Sequence, residues 1–309
     1  MGLHQLLLLT SKQALEIEYL VVAGGGSGGI RPNNATPVGG GGAGGYRSSV
    51  SGENSGGGAS AESALIRQVN TNYTVTVGAG GAGRSSDTTA ASGLAGSNSV
   101  FDVVTSIGGS RGLASNQPLT GGSGGGASAD ATTGFTGASG TAGQGYKGGD
   151  GFGDATASNR AAGGGGGASA AGGNGALATP GNGGNGVASS ITGSSVTRAG
   201  GGGGTRGGTQ TGTSSGGTGG GTGGAWANSA TATSDNGTAN TGGGSGGAKT
   251  TSGAFTATSG NGGSGIVILK YPEAYTITIG AGLTGSEASP SGGFKVATIT
   301  AGTGNVSWS

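Results

Sequence analysis

Between residues 120 and 265, 53 of the 146 positions are glycine, and the large aliphatic and phenylalanine side chains number seven: Phe135, Phe152, Leu177, Val187, Ile191, Val196 and Phe255. Fixing one residue's backbone costs about 1–2 kcal/mol, and more for glycine, so ordering this stretch costs on the order of 150–300 kcal/mol. Seven apolar side chains at about 1.5–3 kcal/mol each do not offset that. An ordinary hydrophobic core is excluded here. Two outcomes remain: a flexible Gly/Ser/Thr spacer, or an ordered region whose cohesion comes from the backbone itself.

The ordered outcome has a definite physical form. Extended left-handed helices with three residues per turn make no internal hydrogen bonds, so every N–H and C=O is free to pair sideways. Where glycine clears the contact faces, such helices pack side by side. Each N–H···O bond then nets about 0.5–1.5 kcal/mol, and each Cα–H···O contact adds about 0.5–1 kcal/mol. Collagen does not fit, because it needs glycine at every third position and abundant proline. Here glycine comes in blocks such as 163–167 and 200–204, and the chain has six prolines.

β-Branched runs punctuate the glycine. Ile17-Glu18-Tyr19-Leu20-Val21-Val22-Ala23 leads into Gly24-Gly25-Gly26, and Tyr73-Thr74-Val75-Thr76-Val77 alternates strictly up to Gly78. The run from Val100 to Ile107, then Ile266 to Tyr271, Tyr275 to Ile279 and Lys295 to Thr300, read in the same way. Alternation and β-branching predict strands near 17–23, 72–77, 99–107 and 266–300. Residues 64–69 are ambiguous, although a strand suits their neighbours. Tyr73-Thr-Val-Thr-Val-Gly-Ala-Gly-Gly-Ala-Gly83 is echoed by Tyr275-Thr-Ile-Thr-Ile-Gly-Ala-Gly-Leu-Thr-Gly285, as if one strand-to-turn device were used twice. No segment beyond the first 18 residues has a helical period.

Several function classes lack their materials. Charged residues are 8% of the chain and the net charge is +1, which gives no electrostatic footprint for nucleic acid. There is no cysteine, and the one histidine, His4, stands near the start. A histidine-based acid–base site, a nucleophilic triad or a thiolate metal site has nothing to be built from. No catalytic residue, cofactor or metal site is expected. Leu6-Leu7-Leu8-Leu9 is too short to span a bilayer and lacks the basic flank and cleavage pattern of a signal peptide. It reads as an apolar strand or helix that packs on a partner, and no membrane insertion is expected.

Some motifs look chemical. Gly24–Gly29, Gly78–Gly83 and Gly280–Gly285 satisfy G-x-G-x-x-G. With glycine so common, chance matches are expected, and the helix that must receive the pyrophosphate is missing. Gly121-Gly-Ser123-Gly-Gly125 matches a nucleophile elbow without a histidine to activate Ser123. The acids of Gly148-Gly-Asp150-Gly-Phe152-Gly-Asp154 are out of register for a calcium-binding repeat that would need several copies, so a solvated turn is the better reading. Tyr46, Phe135, Tyr146, Phe152 and Trp226 sit in polar or glycine-rich surroundings. Exposed aromatics on such loops suit sugar or protein recognition; rings laid over the bundle's edge to shield its backbone are the other reading.

The opener Glu18-Tyr-Leu-Val-Val-Ala-Gly-Gly-Gly-Ser-Gly-Gly29, with Gly39-Gly-Gly-Gly-Ala-Gly-Gly-Tyr-Arg47, resembles the start of glycine-rich phage tail-fibre and adhesin-like proteins. The segments 73–83, Ser99-Val-Phe-Asp-Val-Val-Thr-Ser-Ile-Gly-Gly109, Gly262-Gly-Ser-Gly-Ile-Val-Ile-Leu-Lys-Tyr-Pro272 and the tail to Ser309 are similar to that group as well. The likeness spans roughly 17–309. It implies an all-β, otherwise irregular fold, in which a sandwich-like strand framework carries a bundle of polyglycine II helices, with essentially no α-helix beyond the N-terminal segment. Loops between glycine blocks would touch a host receptor. Residues 1–16 depart from the pattern, which divides the chain into an apolar segment 1–16, a glycine-rich domain 17–272 and a β tail 273–309.

The resulting expectation is a non-enzymatic virion protein, a tail-fibre or adhesin component. It would form a homo-oligomer or fibre and bind a protein or glycan receptor on the host surface, in the virion or outside the cell. Loops around 127–160 and 225–241 would make the contact through Phe135, Tyr146, Phe152 and Trp226. The alternative is a self-assembling bacterial filament or matrix protein that pairs strands of 273–309 between subunits.

Overall fold

The computed structural model describes residues 13–32, 35–228, 230–252 and 255–309. His4 and Leu6–Leu9 lie outside these. Among the described residues there is no α-helix, only strands and two short 3-10 turns.

The framework is one ten-stranded sheet. Its main path runs from Tyr46–Ser48 through Ala14–Val22, Ile266–Pro272, Phe294–Trp308, Tyr73–Thr76 and Ser99–Phe101 to Val104–Ser106. The sheet curls until Tyr19 and Phe101, on strands well apart in that order, bring their rings within 6.3 Å. Two apolar layers therefore face each other as in a sandwich, but both belong to the same sheet. Between them lie Ile17, Val21, Val267, Leu269, Tyr271, Ile299 and Val306, all buried around Trp308.

Strand pleating sends alternate residues to opposite faces. The second face of Ala14–Val22 and Ile266–Pro272 carries Leu20, Val22, Ile266 and Ile268 against Ala43, Ala168 and Ala199 of the glycine-rich region. Burial on both faces explains why these strands read as continuous apolar runs. The run 100–107, expected as one strand, is a tight hairpin of Ser99–Phe101 and Val104–Ser106. Asp102 takes φ 51° at its turn, and Arg67 holds its carboxylate. The ambiguous 64–69 contains a strand, Leu65–Gln68, paired with Ala14–Ile17.

The two echoed segments flank one strand. Tyr73–Thr76 pairs with one edge of Phe294–Trp308 and Ile277–Ile279 with the other, meeting at Val306. Their continuations part company. Gly78–Gly83 enters the bundle, whereas the chain after Gly280 folds back as Leu283–Glu287 onto the same long strand. A Cβ at Gly81 would overlap the Leu94 carbonyl, so the leucine at the matching position, Leu283, has no place in such a lattice.

The bundle shows its geometry in the hydrogen-bond register of residues 39–45. Amides 39, 42 and 45 donate to the carbonyls of Leu113, Ser110 and Ile107; 40 and 43 donate to Gly163 and Gly166; 41 and 44 donate to Ser245 and Gly242. Every third residue returns to the same neighbour, which is the signature of three residues per turn. The carbonyls repeat the pattern. Those of 39, 42 and 45 accept from Gly29, Gly26 and Ala23, those of 40 and 43 from Gly126 and Ser123, and that of 41 from Gly202. One polyglycine II helix is thus ringed by six others, three taking its protons and three supplying theirs.

Close approach makes glycine obligatory at the centre. A Cβ on Gly41 would overlap the Gly26 carbonyl, and one on Gly165 or Gly244 would overlap the carbonyl of Gly41 itself. Small hydroxyl residues stand where a side chain bridges two backbone groups. The buried Ser245 accepts from the Gly28 amide at 3.0 Å and donates to Gly260 O at 2.6 Å.

Candidate functional site

The same register gives the bundle two unlike poles. At the level of residue 45 the chain passes directly into or out of sheet strands: Ala14–Val22 ends before Ala23, Tyr46–Ser48 follows Gly45, Val104–Ser106 precedes Ile107, and Ile266–Pro272 follows Gly265. At the level of residue 39 the helices at 113, 126, 163 and 205 open instead into loops. The ten-stranded sheet anchors one end; at the other, loops lie beside a short four-stranded sheet of Gly212–Thr213, Ala225–Ala227, Ala248–Thr250 and Ile30–Arg31.

Phe135 and Phe152 lie together at the loop pole. The Phe135 amide donates to Ser128 O at 3.2 Å, and its carbonyl accepts from Gly151 at 2.9 Å. Phe152 exchanges both backbone bonds with Ala161, at 2.7 and 3.0 Å. Both rings are half-buried. The adjoining tip is tied by Asp130, whose Oδ1 accepts from the Thr133 and Thr132 amides at 2.7 and 2.8 Å. Those two bonds hold its carboxyl below the usual range.

Trp226 is also at this pole but not on its surface. It sits in Ala225–Ala227, between Gly212–Thr213 and Ala248–Thr250, and only 6% of it is exposed. Its indole covers Gly212, whose missing side chain leaves the room, and its Nε1 has no partner among the described residues. The expectation of a surface contact is corrected for this residue: its indole packs against Gly212 of the neighbouring strand and is out of solvent. Beside it in register is Lys249, fully buried, with Nζ donating to Gly208 O at 2.8 Å. Desolvation lowers this amine to about 7. An isolated lysine in Gly-Ala-Lys-Thr carries no sequence signal for such burial.

Tyr146 belongs to the opposite pole. Its amide donates to Gly167 O at 3.0 Å, and its hydroxyl abuts Gly58, near the strands. Tyr46, expected outside any strand, is in Tyr46–Ser48 and wholly buried. Burial first, then the Glu53 charge, pushes its hydroxyl well above the ordinary tyrosine range. The structure therefore joins Phe135 with Phe152, buries Trp226 among its own short strands and separates Tyr146.

The chemical-looking motifs are absorbed by structure. Gly81 and Gly26 of two G-x-G-x-x-G matches make bundle bonds, to Gly25 O and Gly42 O. Ser123 is buried inside the bundle. Asp150 accepts from the Gly137 amide at 2.9 Å and pairs with Lys147, while Asp154 accepts from the Thr156 amide at 2.7 Å. Each carboxylate is thus engaged within the fold. No curated protein matches the chain significantly. A family model described as a glycine-rich domain matches residues 9–272, most of the sequence, and the chain therefore belongs to the glycine-rich domain family.

Proposed function

We propose that this protein is a non-enzymatic attachment component of a phage fibre or a related adhesin, with its loop pole directed at the host cell surface. The observation that carries the reading is the polarity of the bundle. Loops project from an end whose backbone is fixed by the helix lattice, while the opposite end is closed by a sheet. Loops on a rigid scaffold are where binding residues concentrate, and fixed loops lose little entropy on binding. Phe135 and Phe152, half-buried on neighbouring segments, are the recognition residues under this reading.

The filament reading has less support. It needs strand edges of 273–309 for pairing between subunits, and Phe294–Trp308 is paired along both sides within its own chain, which leaves only the short outer edges of Ile277–Ile279 and Leu283–Glu287.

The test is adsorption of labelled protein to a panel of bacterial cells, with a Phe135→Ala/Phe152→Ala double variant alongside. Saturable binding to particular strains, weakened at least tenfold in a double variant of unchanged melting temperature, is expected. If no strain is bound and electron microscopy finds the purified protein in open-ended polymers, the filament reading takes its place.

A further inference from the structure

At the sheet pole, the turn 52–58 and the hairpin of Val187–Ser189 and Val196–Arg198 enclose a groove of about 580 Å³. That is within the usual range for small-ligand sites. Its walls have an unusual balance. Tyr146 is the only aromatic ring, Val187 the one large aliphatic side chain and Glu53 the one charge. The polar lining is made by Asn54, Ser55, Ser169, Ser190, Ser195 and the Tyr146 hydroxyl. Ser55 and Ser169 donate to backbone carbonyls, whereas among the described residues the side-chain groups of the other four make no hydrogen bond within the protein. Glu53 accepts the Ser190 amide on Oε1 at 2.7 Å, whereas its Oε2 is buried without a partner.

We infer that this groove binds a neutral carbohydrate, a segment of one to three sugar rings. Sugars present many hydroxyls, each both donor and acceptor, together with a face of C–H groups. Ser190, Ser195, Asn54 and Tyr146 Oη offer unengaged groups of both kinds. The Tyr146 ring offers a platform for the C–H face with a polar handle beside it. A peptide is a poorer match, because peptide sites are anchored by deep apolar pockets, whereas the apolar share of this wall is spread thinly over Ala168, Val187, Ala188 and the Tyr146 ring. Acidic sugars are disfavoured by the Glu53 charge. The inference deepens the host-recognition reading and rests on it for a biological role, although the groove is at the opposite pole from Phe135 and Phe152.

The experiment presents the full chain to an array of immobilised neutral oligosaccharides built from glucose, galactose, mannose, rhamnose and N-acetylhexosamines, with sialylated and uronic-acid glycans beside them. Tyr146→Ala, Asn54→Ala, Tyr146→Phe and Val103→Ala variants are run in parallel with their melting temperatures. Retention of at least one neutral glycan is expected, weakened at least tenfold in Tyr146→Ala, less in Tyr146→Phe and Asn54→Ala, and not at all in Val103→Ala, an exposed position outside the groove. Tyr146→Phe keeps the fold and the ring, so it decides the matter if the alanine variant unfolds: retention must fall measurably when the hydroxyl alone is removed. No retained neutral glycan, retention of acidic glycans only, or retention unaffected by all groove variants overturns the inference. Cell adsorption separates the two ideas. Cells bound with no groove dependence and no glycan retained leaves host recognition standing without the groove. Glycan retained by a protein that adsorbs to no cell leaves the groove standing without host recognition.

Discussion

The amide of Gly41 donates to the carbonyl of Ser245 across 2.8 Å, joining glycine blocks that the sequence holds far apart. Because both lie inside a ring of similar helices, opening that bond requires several neighbours to separate together. Amides that exchange only through such collective opening report stability near the global value. Hydrogen exchange of the 39–45 amides is therefore expected to be among the slowest in the molecule, alongside strands Ala14–Val22 and Ile266–Pro272. Exchange at those glycines on the timescale of free peptides would remove the lattice as the source of order.

Two glycine substitutions separate close packing from backbone conformation. Gly41→Ala forces a methyl into the Gly26 carbonyl, and overpacking of this kind costs about 1–3 kcal/mol or more where neighbours cannot move. Gly52 has φ +80° with open space around it, so Gly52→Ala carries only the left-handed backbone penalty of about 1–2 kcal/mol. Chemical denaturation should rank Gly41→Ala as clearly the more damaging. Equal losses would mean that the bundle tolerates side chains at its centre.

Lys249 should make stability depend on pH in an unusual direction. Its amine falls from the ordinary 10.5 to about 7 in the folded protein because burial penalises the charged form. Below pH 7 both states are protonated and the full penalty is present. Between about 7 and 10.5 the unfolded chain binds a proton that the folded one does not, so stability rises with pH, by roughly 1.4 kcal/mol per unit. The melting temperature should climb between pH 7 and 9.5, and Lys249→Met should flatten that climb. A wild-type profile that is level or falling over this window would contradict the assignment.

The C-terminal strand is structural. Trp308 is 1% exposed and its ring lies 5.7 Å from Tyr271, 6.0 Å from Tyr73 and 6.5 Å from Phe101. Replacing a buried tryptophan by alanine costs about 3–5 kcal/mol, and Trp308→Ala should lose stability on that scale, with Trp308→Phe losing less. A change below about 1 kcal/mol, small even for an ordinary core truncation, would place the indole outside the core.

The echo of 73–83 by 275–285 was visible as a repeat, yet its two copies end differently, in the bundle at Gly81 and in a hairpin at Leu283. In hindsight that one substitution carries the distinction, because a leucine side chain cannot pass where two backbones touch. Asp102 gave no comparable sign that the run 100–107 breaks into a hairpin, since its turn is fixed from outside by Arg67. Trp226 looked like a loop aromatic because the strands that bury it, Gly212–Thr213 and Ala248–Thr250, are too short to mark themselves by alternation.

From composition and pattern alone came the all-β framework, the strand runs that build it, and the exclusion of a hydrophobic core from the middle of the chain, since too few apolar side chains existed there. That the glycine blocks pack as a backbone lattice and do not trail as a spacer was decided by the tertiary structure. Which helix lies beside which, that 39–45 occupies the centre, and that Tyr146 stands at the opposite pole from Phe135 and Phe152 were decided only in three dimensions. The reason is physical. One glycine's N–H and C=O are indistinguishable from another's, so the choice of partners is made by the strands and loops that fix where each block enters the bundle.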